Sequence, residues 1–315
     1  MRIPLSDADA GVRLDKLLIL KVPGLGRAAA KRLFADGKVR LCPGGAERGP
    51  RAQKGDVAAV GDVIEVDLDP TQASAGCVPE PDAPLSVVLE TPTVVVVDKP
   101  AGQPSAPLDP GERGTLANAL VARYPELADI GFSPREPGLC HRLDTGTSGL
   151  LLAARTEEAF TTLTAGLKEG RLDKRYLLIC KAEELPESGT IDIPLAPHPK
   201  DRRRVYPCVH PRDVARYAPR PASTSYVKVR EQGEWALVEV KAPKAARHQI
   251  RAHFAAIDHP LAGDRLYGGP DAPGLGEGAR HALHAHRITW PGDKVVPAFA
   301  AESPLPPEMV ALVGE

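Results

Sequence analysis

Four consecutive valines at residues 94–97, and a second apolar run at 150–153, constrain this chain most. Short β-branched or leucine-rich runs bounded by turn residues read as strands buried on both faces. Residues 87–89, just before the Thr91-Pro92 turn, give a partner strand, and residues 176–180, 225–229 and 235–240 give three more. Helical spacing falls between them, at 115–123 and at 157–168 before Gly170. Strands and helices are interspersed, yet no β-α-β unit or other fixed period recurs. The expected class is therefore α+β rather than doubly wound.

The 315 residues are 43% hydrophobic, enough for a packed core. At roughly 100–200 residues per domain the prior is two units. The first is expected over 1–70. Leu14, Leu17 and Leu18 are at helical spacing, and a second helix over 27–36 is closed by Gly37. Strand-like pieces follow at 38–41 and 63–68, with a Pro43-Gly44-Gly45 turn after the first. Residues 71–84 have the small and turn residues of a linker, and 85–315 form the second unit.

Formal charge is −1, so no global field would draw the chain to RNA or to an anionic membrane. The basic charge is local. Residues 27–54 carry eight basic and two acidic side chains, with Arg27, Lys31 and Arg32 on the expected helix; residues 198–220 carry seven and two, densest at Arg202, Arg203 and Arg204. The second segment, with its prolines, reads as a long loop, and either window is a solvated face or a phosphate-contacting surface. Residues 73–140, with four basic and nine acidic, should face away from RNA. Aromatics at 4% argue against a binder built on many stacking platforms. Five dispersed cysteines form neither a disulfide framework nor a zinc ribbon. The first residues have no apolar signal segment, and no run approaches the 18 or so apolar residues of a membrane helix, so a cytoplasmic chain is the expectation, and a monomer is expected beside it.

Chemistry concentrates in two segments. In GLCHRLDTGTSGLLL, residues 138–152, Asp144 precedes small, hydroxyl and glycine residues. Gly146 and Gly149 would let a base or another backbone approach, though an Asx-turn is an equally ordinary use of such an aspartate. In residues 246–269, Arg247 and Arg251 are four apart, which makes them neighbours on one helix face and two fixed cations for a carboxylate or phosphate. His281, His284 and His286 spell H-x-x-H-x-H. A metal site would need a third ligand and a supporting carboxylate, so packing histidines on a half-buried strand are the simpler reading, and no metal is expected.

In this order, VVVVDKPAG from Val94, HRLDTGTSG from His141, KRYLL from Lys174, RHQIRAHF from Arg247, HPLAGDRLYG from His259 and LHAHRI from Leu283 resemble the RluA-type RNA pseudouridine synthases. The resemblance spans about 85–307 and departs at Ala245-Ala246, where the family has Thr-Gly. RLDKLL from Arg13, GRAAAKRLFADGKVR from Gly26 and VGDVIEV from Val60 resemble the S4 RNA-binding domain, with Gly26 where that family has serine.

The resemblance implies a mixed, largely antiparallel sheet with flanking helices, isomerisation of uridine in RNA, and no cofactor. It implies Asp144 as the essential carboxylate, Arg251 as the cation that keeps it ionised, and Tyr176 as the ring that stacks on uracil and takes its C5 proton. Arg142 would fill the gap left by the flipped nucleotide, with Leu143 and Ile250 as pocket walls. Ribosomal RNA of the large subunit is the favoured substrate, with transfer RNA as the other choice. Two rivals are a non-catalytic RNA-binding assembly factor and a glycosidase, which would want a second carboxylate about 5–10 Å from the first.

Overall fold

The computed structural model describes residues 1–22, 25, 27–68, 76–243, 246–275 and 280–314, with the side chains of Arg27, Ala28, Ala29 and Arg32 left aside. Its first block holds β1 (Arg2–Pro4), α1 (Leu14–Lys21), α2 (Arg27–Ala35), β2 (Val39–Cys42) and β3 (Val63–Val66). The strands pair antiparallel in the order β1-β3-β2. Leu14, Leu17 and Leu18 all point inward from α1, joining Ile3, Ala30, Leu33, Val39 and Ile64 in a hydrophobic core of their own. Gly37, at φ +66°, closes the turn after α2, a conformation in which a Cβ would be strained. The short β1 was not apparent in the sequence, because three residues carry no periodicity.

The second block is built on a nine-stranded sheet ordered β4-β5-β6-β13-β7-β12-β11-β8, with β14 also paired to β13. In chain order it comprises β4 (Ser86–Glu90), β5 (Val94–Lys99), α3 (Leu116–Arg123), β6 (Ser148–Ala154), α4 (Glu157–Glu169), β7 (Asp173–Lys181), β8 (Ser188–Ile191), β9 (Leu195–Pro197), β10 (Val205–Pro207), α5 (Pro211–Tyr217), β11 (Thr224–Gln232), β12 (Trp235–Lys241), α6 (Gln249–Ala256), β13 (Leu283–Trp290), β14 (Phe299–Glu302) and α7 (Pro307–Val313). The valine run becomes β5 and every residue of β6 is buried, as strands covered on both faces require. Helix α3 starts at a capping box, Thr115 with Asn118, and α4 starts at Thr156 and stops at Gly170 in the left-handed region.

Among the described residues one pairing in this sheet is parallel. Ser148 and Gly149 of β6 lie against His284 and Ala285 of β13. A Cβ on Gly149 would stand 2.3 Å from the Ala285 carbonyl oxygen, so only glycine permits that approach. The close approach read from the glycine-rich stretch is thus made by another strand of the sheet.

Two expectations need correcting. Residues 198–220 are not a long loop, since β10 pairs with β9 and α5 follows it. Pro211 stands at the start of α5, where its fixed φ suits the first helical turn. The expected linker 71–84 is described only from residue 76. There Cys77 N–H bonds the Pro134 carbonyl, and Asn118 donates to Val78 O and accepts nothing from it, while Glu80 N–H bonds Asn118 O. Those linker residues are tied to the second block because Asn118, buried at the start of α3, needs carbonyl partners.

Candidate active site

Asp144 lies on the loop that leads into β6, and two backbone contacts fix that loop on either side of it. Ser105 Oγ donates to Leu143 O at 2.8 Å and accepts from Leu143 N–H at 3.1 Å. Lys99 Nζ, fully buried at the end of β5, donates to the carbonyls of Pro100, Gln103 and Thr145. Burial, reinforced by the charge of Arg280, lowers the Lys99 ammonium to about 7. Arg280 comes from the segment before β13 and donates to Gly146 O at 3.0 Å and to Ser148 Oγ at 3.1 Å. The Asp144 carboxylate makes no Asx-turn with its own backbone; its side-chain partners lie elsewhere in the fold.

Those partners come from α6 and the turn before it. Arg251 Nη1 donates to Asp144 Oδ2 at 2.8 Å, while its Nε and Nη2 grip both oxygens of Asp264 at 2.7 and 2.8 Å. The side chains of Arg251 and Asp264 are 7% and 1% exposed, and that of Asp144 is 23% exposed. Burial works against the Arg251 charge, but the Asp264 hydrogen bonds and the charges of Asp264 and Asp144 outweigh it and raise its pKa. A bidentate, buried ion pair thus aims the third donor of one guanidinium at the more open carboxylate.

Each residue of HQIR has a separate task. Gln249 accepts from Ala246 N–H and donates to Ser223 O and Thr224 Oγ1, pinning the turn to the start of β11. Ile250 lines the cleft and Arg251 reaches Asp144. His248 adopts φ +55° as the N-cap of α6. Arg247 therefore stands outside the helix, which corrects the expectation that it shares a face with Arg251. It is exposed and donates to the carbonyls of Arg202 and Arg204. Ala245, one half of the departure from the family pattern, lies outside the described residues.

The cleft around Asp144 has a volume of about 1110 Å³. Tyr176 of β7, Leu143, Ile250 and Arg142 are brought to it as expected, and so are Arg203 and Arg204. Arg142 is exposed and ion-paired to Glu136. Arg203 pairs with Asp201, and Arg204 stacks over the Tyr267 ring with 5.3 Å to its centroid. Arg202 is exposed, and so is Lys31 on α2, whereas the side chains of Arg27 and Arg32 lie outside the described residues. Pro104, Ser105, Leu108 and Glu112 also line the cleft, so residues 73–140 do not turn away from it as a block. Their excess acid is spent elsewhere, in pairs such as Arg155 with Glu90 and Glu126.

The three C-terminal histidines do not converge on a metal. His281 bonds Thr147 Oγ1 at 2.8 Å, His284 bonds Ser148 Oγ at 2.9 Å, and His284 and His286 share the Ser303 carbonyl. Burial holds His281 down to about 3 and His284 to about 4. Among the described residues no group of three His, Cys, Asp or Glu side chains could hold a metal ion. Lys99, Asp264, Tyr267 and Arg280 were missed as site residues, although DKPAG and GDRLYG were visible as motifs. A lysine buried for its carbonyl partners, or an acid that orients an arginine, has no local pattern of its own.

A profile of the RNA pseudouridylate synthase family matches residues 93–256. This chain belongs to that family. It is 33% identical over 314 residues to the ribosomal large subunit pseudouridine synthase D of Neisseria meningitidis serogroup A, covering 96% of this chain and 78% of the relative. The same-named protein of Xanthomonas campestris is 33% identical over 321 residues, covering 98% of this chain and 89% of the relative. Among solved structures, human RNA pseudouridylate synthase domain containing 1 superposes with a TM-score of 0.56 at 25% identity, over 75% of this chain and 90% of the human one. The RluA-type resemblance and the largely antiparallel α+β fold are thereby established, and the chain is an RNA pseudouridine synthase.

Proposed function

We propose that this synthase converts uridine in large-subunit ribosomal RNA to pseudouridine, with Asp144 as its essential carboxylate. The observation that carries the reading is the arrangement Asp144–Arg251–Asp264 at the floor of a cleft walled by Tyr176. The reaction breaks the C1′–N1 bond, turns the uracil and forms C1′–C5; the C5 proton leaves the base and N1 takes up a proton from solvent. Asp144 acts as a carboxylate in any route through that sequence, and Arg251 Nη1 holds its Oδ2 at 2.8 Å. Tyr176 is the ring on which uracil stacks and the acceptor for the C5 proton. A uridine stacked in a helix hides its glycosidic bond, so the nucleotide has to be flipped, with Arg142 released from Glu136 to fill the gap. The name of the Neisseria relative supports the choice of RNA.

Arg202, Arg203, Arg204 and Arg247 form the RNA-facing rim in this reading. The first block adds phosphate contacts through Arg27, Lys31 and Arg32, as an S4-like domain over 1–70 joined to a catalytic domain over 85–315. The protein acts as a cytoplasmic monomer. No described helix is long and apolar enough to cross a membrane. A glycosidase finds little support here. The other carboxylates lining the cleft are already engaged, Glu112 by the N–H groups of Leu108 and Asp109, Asp201 by Arg203, and Asp264 by Arg251.

The test uses large-subunit ribosomal RNA transcribed with uridine tritiated at C5. The wild-type protein should release tritium without releasing free uracil, and Asp144→Asn should retain RNA binding within a few-fold. Single catalytic groups usually contribute about 10²-fold or more. Turnover by Asp144→Asn above roughly 10% of wild type would rule the assignment out.

A further inference from the structure

His248 stands in the cleft wall with no part in the scheme above. As the N-cap of α6 it has φ +55° and ψ 16°, yet its side chain caps nothing. A residue other than glycine held in the left-handed region persists where its surroundings over-determine it, and such positions gather at functional sites. Here the imidazole is turned inward, with Nδ1 3.2 Å from Tyr267 Oη and Nε2 3.7 Å from Asp144 Oδ1.

The hydrogen-bond inventory decides which nitrogen carries the proton. Tyr267, in the turn that follows Asp264, is buried, and its oxygen accepts the Val205 N–H at 2.9 Å. The phenolic proton needs an acceptor of its own. Among the described residues the other polar atom within reach is His248 Nδ1. Satisfying both groups makes the phenol the donor and Nδ1 the acceptor, which leaves the proton of a neutral imidazole on Nε2. The charged groups that face the ring are Asp144 from the catalytic loop, Arg247 from its own turn, Arg251 from α6 and Asp264 from the turn after it, with His281 approaching from the segment before β13. Burial is the largest influence and pushes the imidazole below its ordinary value; Asp144 and Asp264 pull against it while Arg251 and Arg247 act with it, and the balance leaves the ring neutral at physiological pH.

We propose that His248 is a positioning residue for Asp144, a neutral imidazole whose Nε2–H holds the carboxylate oxygen that Arg251 leaves free. Arg251 grips Oδ2, and among the described residues Oδ1 has no closer partner than Nε2. With Oδ2 alone held, the carboxylate can still swing about its Cβ–Cγ bond; with both held, it presents one orientation to the reacting atoms. At 3.7 Å the contact is longer than a hydrogen bond. It closes when uridine fills the site, as catalytic hydrogen bonds commonly do. The inference rests on the pseudouridine synthase reading of the cleft.

Two substitutions separate this from a structural role. Glutamine places an amide N–H near the position of His Nε2, and asparagine places one near Nδ1. Asparagine is the better tolerated of the two in the left-handed region, so backbone comfort favours Asn while the proposal favours Gln. On the tritiated ribosomal transcript, His248→Asn should lose about 10- to 100-fold in kcat with little change in KM, the range for one charge-assisted contact felt during reaction, and His248→Gln should regain most of it. Nitrogen-15 correlation spectra of the free protein should show His248 neutral with its proton on Nε2, and Tyr267→Phe should mix the tautomers. An Nδ1–H tautomer, a charged ring at pH 7.5, or an Asn variant as active as the Gln one would overturn the proposal. Absence of tritium release by the wild-type protein would overturn the substrate reading instead, and the tautomer, measured without RNA, would still decide the hydrogen-bond arrangement.

Discussion

Replacing Arg251 by methionine removes three charge-assisted hydrogen bonds, and the structure says that they are unequal. The bond to Asp144 reaches a carboxylate that is 23% exposed and can regain water. The two bonds to Asp264 serve a side chain that is 1% exposed, whose remaining partner among the described residues is the Tyr267 N–H at 3.3 Å. The penalty should therefore come from Asp264, at about 3–5 kcal/mol for a buried ion left without its partner. That is a large share of the roughly 5–15 kcal/mol that holds an ordinary domain together. Asp264→Asn alone keeps Arg251 opposite Asp144 and should cost about 1–3 kcal/mol. Combined, Arg251→Met and Asp264→Asn remove the stranded charge, so the double variant should be more stable than Arg251→Met. Urea unfolding followed by tryptophan fluorescence measures this cleanly, since Trp235 and Trp290 are the chain's two tryptophans and both lie in the second block. Both Arg251 variants should be inactive, so the double one would be folded without turnover. The reasoning fails if Arg251→Met stays within about 1 kcal/mol of wild type, or if the two substitutions simply add where contacting residues should couple.

Three further outcomes are expected. His281 and His284 titrate in the fold near 3 and 4, below their unfolded value, so unfolding takes up protons between those values and about 6.5. Their stability contribution is complete above pH 6.5 and is lost as pH falls toward 4, at up to about 1.4 kcal/mol per pH unit for each group; replacing both by Gln should flatten the urea midpoint between pH 6.5 and 4.5, and an unaltered slope would contradict the assignment. Lys99→Met strands three carbonyls around the Asp144 loop, at about 1–3 kcal/mol and a kcat lowered about tenfold, whereas full activity would show that Ser105 and Arg280 suffice. Deleting residues 1–70 should raise KM and reduce the salt dependence of RNA binding, which changes by about 0.7 log unit per log unit of salt for each lost phosphate contact on single strands, with kcat little changed; an unaltered salt slope would make the basic window a solvated face.

Much of this site could be read in the sequence because its chemistry is written in short contiguous motifs. HRLD and HQIR each name a residue, Asp144 or Arg251, that the fold brings to the same cleft. The strands richest in valine and leucine were legible for a related reason: β5 and β6 are buried on both faces, so their composition needs no tertiary context. Asp264 and Tyr267 were not, because their roles exist only relative to Arg251 and His248. Arg247 was misplaced because a histidine in the left-handed region starts α6 two residues later than even spacing implies. The short strands β1, β9 and β10 each carry too few residues for any period to show.

The parallel contact of β6 with β13 also sets the order in which the enzyme can become active during its synthesis. Ser148 and Gly149 have to await His284 and Ala285, and the Asp144 loop accepts a hydrogen bond from Arg280 and shares another with His281. A nascent chain whose first 240 residues have left the ribosome already carries Asp144 and Tyr176, but it has neither Arg251 nor the strand that completes the middle of the sheet. The first block, with its own hydrophobic core, can fold long before that point. Maturation of the site thus waits for translation to pass Trp290, the end of β13. A ribosome stalled earlier would display the first block, folded on its own core, ahead of a catalytic block that cannot yet turn over.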